Sequence, residues 1–435
     1  MSGKNRNYDL IASVLFVILP LLFYYRFLFG KWMLGAEPIG LSDFLTSGYM
    51  MRSFMAEYIK QAGEFAFWIP YIRGGMPTIG AFFGDVVYPT VLLRLVLPVY
   101  IAWTYTFIIH TILAGFGMYI FLKALRIEPE VSLLFAVLYM FTGLIISPVF
   151  AGHDGRMICI SLFPFLFYGV HRGLVKGELV GFVVGSFIFA LMMLSPHLQS
   201  AFYAIMAVYL YFFVYILYRF AILKEWKVFV GILVVGIVVS FFSTWIGFFV
   251  FLVGSWGYLI YRVDRKKNAL LLLLGFSGMM LLAFAMVALQ YIPVISYLPH
   301  AARGVERGYK YATSWAMPLP EVLDVVFPYF FGILKGYWGF NYFKLHLRYF
   351  GILPLFFMIP AYLQKKKDFN LWFFTGLCIF ALTIALGGAT PLYRLYYSFI
   401  PGFKKFRAPD LAFFLVSFSA IVVGAIGASH FLRMR

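Results

Sequence analysis

Runs of about 20 apolar residues recur from one end of the chain to the other, each long enough to cross a bilayer as a helix. They predict spans near 9–29, 98–122, 131–150, 157–175, 178–194, 197–219, 227–243, 245–261, 269–291, 349–363, 369–387 and 410–432. The seventh and eighth are short, share the stretch 227–261 and read as a tight hairpin. A lipid environment requires each backbone to satisfy itself, so the expected fold is all-α, a polytopic bundle of about 12 transmembrane helices. No repeat of 20–50 residues and no Gly/Ser or acidic linker divides it, so residues 1–435 read as a single integral-membrane domain.

Composition sharpens this picture. The chain is 63% hydrophobic and 12% charged, with a mean hydropathy of +0.91, which excludes a soluble globular protein. A net charge of +18 would suit a nucleic-acid binder, but its distribution argues for no nucleic acid. Lys4/Arg6, Lys123/Arg126, Arg172/Lys176, Arg219/Lys224/Lys227, Arg262/Arg265/Lys266/Lys267, Lys365/Lys366/Lys367 and Arg433/Arg435 hold about half of the 35 lysines and arginines in short connectors. The positive-inside rule makes that side, with both termini, cytoplasmic. Segments 30–97, 292–348 and 388–409 then lie outside, with the tight turns 152–156 and 195–197. The first span lacks a small-residue cleavage site and reads as a retained signal anchor. Cys159 and Cys378 fall inside apolar spans and form neither a metal motif nor a disulfide framework.

The first outer segment is too polar and too broken to lie in lipid, and a loop of such length with structure of its own points to function. Ser42 is placed to cap a helix that begins at Asp43 and carries Phe44, Met51, Met55, Tyr58 and Ile59 along one side. Arg52, Glu57 and Lys60 would then face water, and Gly63 would end the helix. At the first turn the Asp43 carboxylate meets free N–H groups and the positive end of the helix dipole. The plain reading is a helix-start residue; the functional one is an exposed acid.

Further candidates follow along the chain. Gly152-His153-Asp154-Gly155-Arg156 is richer than a simple turn requires: Asp and His can ligate a divalent cation, and Arg can hold an anion. The alternative is an interfacial turn closed by its own Asp–Arg pair. His197 and Gln199, at the start of a span, can either bond a substrate or close a helix end. Segment 292–348 mixes His300, Arg303, Glu306, Arg307, Lys310, Glu321, Asp324, His346 and Arg348 with Trp315 and Trp338, a mixture found in carbohydrate sites and on solvated faces alike. Lys404, Lys405 and Arg407 precede the last span on the outer side, where basic clusters are disfavoured; an anionic ligand or anionic lipid would account for them. The sequence has no P-loop, dinucleotide glycine motif, HExxH or Gly-x-Ser-x-Gly elbow.

In order, the chain carries a Trp-x-Pro-Tyr-x-x-Gly-Gly-Met-Pro run at 68–77, Tyr88-Pro89 opening a helix and Leu-Ala-Gly-x-Gly-Met-Tyr at 113–119. Gly152-His153, Pro-His-Leu-Gln at 196–199 and Phe-Arg-x-Pro at 406–409 follow. Together these resemble the bacterial YfhO-like membrane proteins of the GT-C glycosyltransferase superfamily. The resemblance implies a GT-C fold in the bacterial cytoplasmic membrane that moves a sugar from a polyprenyl-phosphate donor to an envelope polymer, lipid or protein acceptor outside. It places Asp43 at the essential acid of the first outer loop and Asp154 at a second acidic site. A lone Asp154 departs from the paired acids of metal-dependent members, so Mg or Mn held by Asp43, Asp154 and His153 is an open alternative. Family members are often longer, which implies that an acceptor-recognition portion lies outside this chain. The expected roles are Asp43 and Asp154 as catalytic acids at the mouth of one cavity, with Arg407, Lys405, Lys404 and Arg156 on the donor phosphate. His153, His197, Gln199, Asp85 and Arg303 would line the substrate. The rival classes are a lipid or polysaccharide carrier, which would hold ionisable groups deep within its spans, and a non-catalytic assembly factor.

Overall fold

The computed structural model describes residues 3–35, 42–72, 74–82, 84–219, 266–301, 307–364 and 368–434, with a few isolated positions between 219 and 266. The described chain is helical apart from one two-residue antiparallel ladder, Trp68–Ile69 against Met76–Pro77. The principal helices are α1 (Gly3–Phe23), α2 (Tyr49–Ala62), α3 (Val91–Val96), α4 (Val99–Ala124), α5 (Pro129–Met140), α6 (Gly143–Ile146) and α7 (Pro148–Ala151). After them come α8 (Asp154–Lys176), α9 (Leu179–Leu194), α10 (Leu198–Arg219), α11 (Lys266–Tyr297), α12 (Ile352–Leu363), α13 (Phe369–Ala385), α14 (Leu392–Phe399) and α15 (Phe413–Arg433).

Five described helices are long and apolar enough to cross a membrane, or six if the bent pair formed by α5 with α6 and α7 is one span. The expected spans at 227–243 and 245–261 lie outside the described residues, as do Lys224, Lys366, Arg73 and Arg303. Helix α15 is the axis of the bundle: its residues from Phe413 to Ser429 are buried, although nearly all are apolar or small. A Cβ on Gly427 would come within 1.8 Å of the Phe357 carbonyl oxygen, so only glycine lets α15 lie backbone to backbone against α12.

Ion pairs mark the two ends of the bundle. At one end Lys123 pairs with Asp9, Arg172 with Glu178, and Arg433 with Glu128 at 2.5 Å, which brings together the start of α1 and the ends of α4, α8 and α15. These residues come from the connectors expected on the cytoplasmic side. The described parts of segments 42–97, 307–348 and 388–409 gather at the opposite end.

The expected continuous span at 131–150 is broken, with a 42° bend between α5 and the α6–α7 turns. An extended segment inserts at the break: the Gly143 N–H donates to the Tyr349 carbonyl at 2.9 Å, and the Leu347 N–H donates to the Ser147 hydroxyl at 3.0 Å. The Gly143 N–H at the bend is thus satisfied from another part of the chain, and the Ser147 side chain holds the inserted segment in return. The insertion carries His346 and Arg348 into the bundle.

Candidate functional site

The loop helix is built differently from the expectation. Asp43 precedes a wide π-helical turn, Phe44–Gly48, that runs into α2, and neither the Ser42 hydroxyl nor the Asp43 carboxylate caps it. Gly63 does end α2, in the left-handed conformation. The larger correction is Arg52, expected in water but only 5% exposed. Its Nε donates to Asp85 at 2.8 Å and its Nη2 to Asp154 at 2.7 Å, and its guanidinium lies over the rings of Phe44 and Trp103. Arg94 pairs with the other oxygen of Asp85, which also accepts from the Thr90 hydroxyl at 2.9 Å. Two buried carboxylates and two buried guanidiniums thus form a neutral network, the arrangement that makes buried charge tolerable. Burial raises the Asp85 carboxyl, but Arg52, Arg94 and Thr90 outweigh it and hold it below the usual carboxylate range.

Gly152 sets the second part of the site. It has φ of +73°, and a Cβ there would come within 2.4 Å of the Phe44 amide nitrogen. This contact lays the turn before α8 directly on the Asp43 segment. On the next residue, His153 Nε2 is 3.2 Å from Asp43 Oδ2 and Nδ1 is 3.1 Å from His346 Nε2. The Asp43 side chain is 74% exposed, whereas His346 is buried. The first turn of α8 also carries Arg156, which is fully buried; its Nε, Nη1 and Nη2 have no hydrogen-bond partner among the described residues. Burial, followed by the charge of Arg156 and the neighbouring imidazoles of His153 and His197, pushes His346 well below its ordinary value, so it is a neutral imidazole.

A third cluster locks segment 319–348 onto the start of α15. Arg348 pairs with Glu321 and donates through Nε to Asp410 at 2.7 Å. Lys344 pairs with Asp324 and lies 3.2 Å from Glu321, which also accepts from the Tyr337 hydroxyl at 2.5 Å. The attraction between Asp410 and Arg156 links this cluster to the His346 neighbourhood.

The sequence candidates therefore divide. Asp43 and His153 meet, with His346 behind them. Asp154 does not join Asp43: its carboxylate is turned inward onto Arg52, so the expected shared mouth for the two acids is replaced by an exposed acid and a buried one. Asp85, expected to line the substrate, is likewise committed to Arg52 and Arg94. Asp43, His153 and Asp154 do not converge, and among the described residues no group of three or more His, Cys, Asp or Glu side chains is placed to hold a metal ion. These residues do not fit Mg or Mn. His197 closes a helix end, its Nδ1 accepting from the Ser200 N–H at 3.3 Å, and burial lowers its pKa to about 3. Gln199 donates to the Arg407 carbonyl at 2.6 Å. Arg407 itself is exposed over the ring of Tyr311, and Lys404 sits over Tyr397, with Lys405 exposed beside them. The chain ahead of Pro409 is extended at Phe406 but left-handed at Ala408, where the N–H donates to the Ser314 carbonyl.

Sequence reasoning missed the pairings of Arg52, Arg94, Lys344, Arg348 and Asp410. Their one legible signal was charge set among apolar neighbours, as in Val91-Leu92-Leu93-Arg94-Leu95-Val96.

The fold and these three polar clusters define a mainly helical protein of membrane-crossing character, with a titratable site built at one end of its bundle. Compared with models of known protein families and with curated proteins, the chain matches none.

Proposed function

We propose that this chain is a GT-C-type membrane glycosyltransferase, of about 12 spans, that moves a sugar from a polyprenyl-phosphate donor to a hydroxyl acceptor outside the cytoplasm. The observation that carries the reading is the exposed Asp43–His153 pair in the same neighbourhood as the buried, unpartnered Arg156. Such a site combines a group that removes a proton with a seat for an anion, the two needs of glycosyl transfer from a lipid phosphate.

In this reaction the acceptor oxygen attacks the anomeric carbon while its proton passes to the base that contains Asp43. The bond between that carbon and the phosphate oxygen breaks, and the phosphate leaves with the electron pair. Arg156 is suited to meet its charge, with Arg407 and Lys405 at the outer rim. Arg holds two phosphate oxygens in one plane, which Lys cannot do. The sugar–phosphate bond already stores the driving energy, so no nucleotide is required outside.

A carrier would keep working charges at mid-membrane. His110 lies within α4, but both its nitrogens are engaged, by the Tyr88 hydroxyl and the Thr106 carbonyl, each at 2.7 Å. This favours transfer chemistry at the bundle end over transport through its middle.

The test is incubation of the purified protein in lipid nanodiscs with labelled polyprenyl-phosphate sugars and envelope extracts. The parent is expected to move label to an acceptor, and Asp43→Asn to bind donor but transfer none. Absence of transfer by the parent, or full transfer by Asp43→Asn, would defeat the reading.

A further inference from the structure

With both rings neutral, Asp43 sets the direction of the hydrogen bonds along Asp43, His153 and His346 from one end. A carboxylate accepts and has nothing to give, so His153 must carry its proton on Nε2 to donate to Asp43. With the His153 ring neutral, its Nδ1 is an acceptor, and the contact at 3.1 Å is satisfied only if His346 carries its proton on Nε2. His346 Nδ1 is then a bare lone pair. It is buried and has no hydrogen-bond partner among the described residues. A buried acceptor left without a donor is costly, as is a buried guanidinium without acceptors, and His346 and Arg156 stand close enough for the Arg charge to act on the ring. A hydroxyl is the kind of group that would satisfy both, donating to Nδ1 and accepting from a guanidinium N–H.

We propose that Asp43, His153 and His346 form a single proton-conducting line, in which His346 Nδ1 is the base that meets the acceptor hydroxyl and Asp43 is its outlet to water. The hydroxyl's identity as a sugar acceptor rests on the glycosyl-transfer reading; the line itself does not. In the step, the hydroxyl O–H bond breaks and an N–H bond forms at His346 Nδ1. The proton on His346 Nε2 moves to His153 Nδ1, the proton on His153 Nε2 moves to Asp43, and Asp43 releases it to outer water. Neither ring gains a net charge, so burial next to Arg156 and Arg348 is no obstacle. The line resets when both rings return to their first tautomers by exchange with outer water. The groups facing the line are Arg156, Arg348 and His197 around His346, with Asp410 balancing the two arginines.

His346 is thus the catalytic residue, and His153 and Asp43 act through it. Imidazole nitrogen-15 resonance on the histidine-labelled protein in nanodiscs reads the tautomers without any substrate, with rings assigned by His153→Gln and His346→Gln. Both rings are expected to be protonated on Nε2 and bare on Nδ1, and Asp43→Ala, at an exposed position, is expected to abolish that bias. A proton on His346 Nδ1 in the parent, or no change in Asp43→Ala, would overturn the line. In the transfer assay His346→Gln and His153→Gln are each expected to lower turnover on the order of 100-fold or more, with donor binding retained. Added free imidazole should restore part of the His153→Gln loss. If both histidine variants turn over like the parent while Asp43→Asn is inactive, Asp43 acts directly and the line is wrong, although glycosyl transfer stands. If the parent transfers no sugar, the functional reading fails and the tautomer measurement alone decides the line.

Discussion

Replacing Arg52 with Met tests the network that holds the loop around α2. The native arrangement balances Asp85 and Asp154 against Arg52 and Arg94, all of them buried. Met fills similar space and lies as well against Phe44 and Trp103, so packing is largely kept and the charge is isolated as the variable. Asp85 retains Arg94 and Thr90. Asp154 loses its Arg52 hydrogen bond and becomes a buried carboxylate that keeps only the weaker attraction of Arg94 and the Gly155 N–H. Breaking a buried ion pair from one side typically costs about 3–5 kcal/mol. Arg52 donates two charged hydrogen bonds, each about 1.5–3 kcal/mol, but Arg94 preserves half of the arrangement, so the lower part of that range is expected. Thermal unfolding in detergent, monitored by tryptophan fluorescence, should therefore show a large drop for Arg52→Met. The decisive comparison is Arg52→Met with Asp154→Asn, which leaves Asp85 and Arg94 as a neutral pair and should recover most of the loss. If the double variant falls as far as the single one, the loss comes from packing rather than from the stranded carboxylate, and the reasoning is refuted.

Acid should release the same loop late. The folded Asp85 carboxyl is held below its ordinary value of 3.8, and a depressed folded value adds stability that is complete above that range and is lost as pH falls through the folded one. In Asp154→Asn, where Asp85 is the one carboxylate left on Arg52, limited proteolysis of residues 64–90 is thus expected to stay slow at about pH 5 and to rise only below the ordinary carboxylate range. Gly152→Ala should destabilise by about 1–3 kcal/mol from backbone strain and should part His153 from Asp43, which the histidine resonances would report as a change at His153. Arg407→Ala is expected to weaken donor binding by about 2 kcal/mol, as for a lost charged hydrogen bond, and Lys404→Ala far less; equal effects would place the phosphate elsewhere. Cysteines at Lys123 and Lys404 should label from opposite sides of the membrane, since labelling from one side would end the assigned topology.

The long apolar helices were the legible part of the sequence: of the 12 spans expected, five described helices, or six with the bent pair, are long and apolar enough to cross a membrane. Expected limits of 98–122 and 410–432 compare with helices Val99–Ala124 and Phe413–Arg433, because a long apolar run has few ways to satisfy its backbone in lipid. The site was legible only in pieces. Asp43 and His153 could each be singled out, but Arg52 was read as solvated because charge on one side of an amphipathic helix usually is. Its partners stand 33 and 102 positions away, and His346 stands 193 from His153. Nothing periodic marks a contact of that range. The bend between α5 and α6 was invisible for the same reason, since it is matched by a segment about 200 residues later that takes up the Gly143 N–H and bonds the Ser147 hydroxyl.

Those long-range contacts also explain how a site carried on loops can hold its geometry. His153 sits between two constraints that are adjacent in sequence. Gly152 is pressed onto the Phe44 amide, and Asp154 is tied through Arg52 to α2 and, beyond it, to Asp85. The ring between them has little freedom to leave Asp43. On its far side, His346 is fixed by the insertion of 347–349 into the broken helix and by Arg348 gripping Glu321 and Asp410. Each buried cluster costs desolvation and adds little net stability of its own. Its effect is positional: removing Arg52 or Arg348 should disturb the spacing at His153 from opposite sides, without touching Asp43, His153 or His346 themselves.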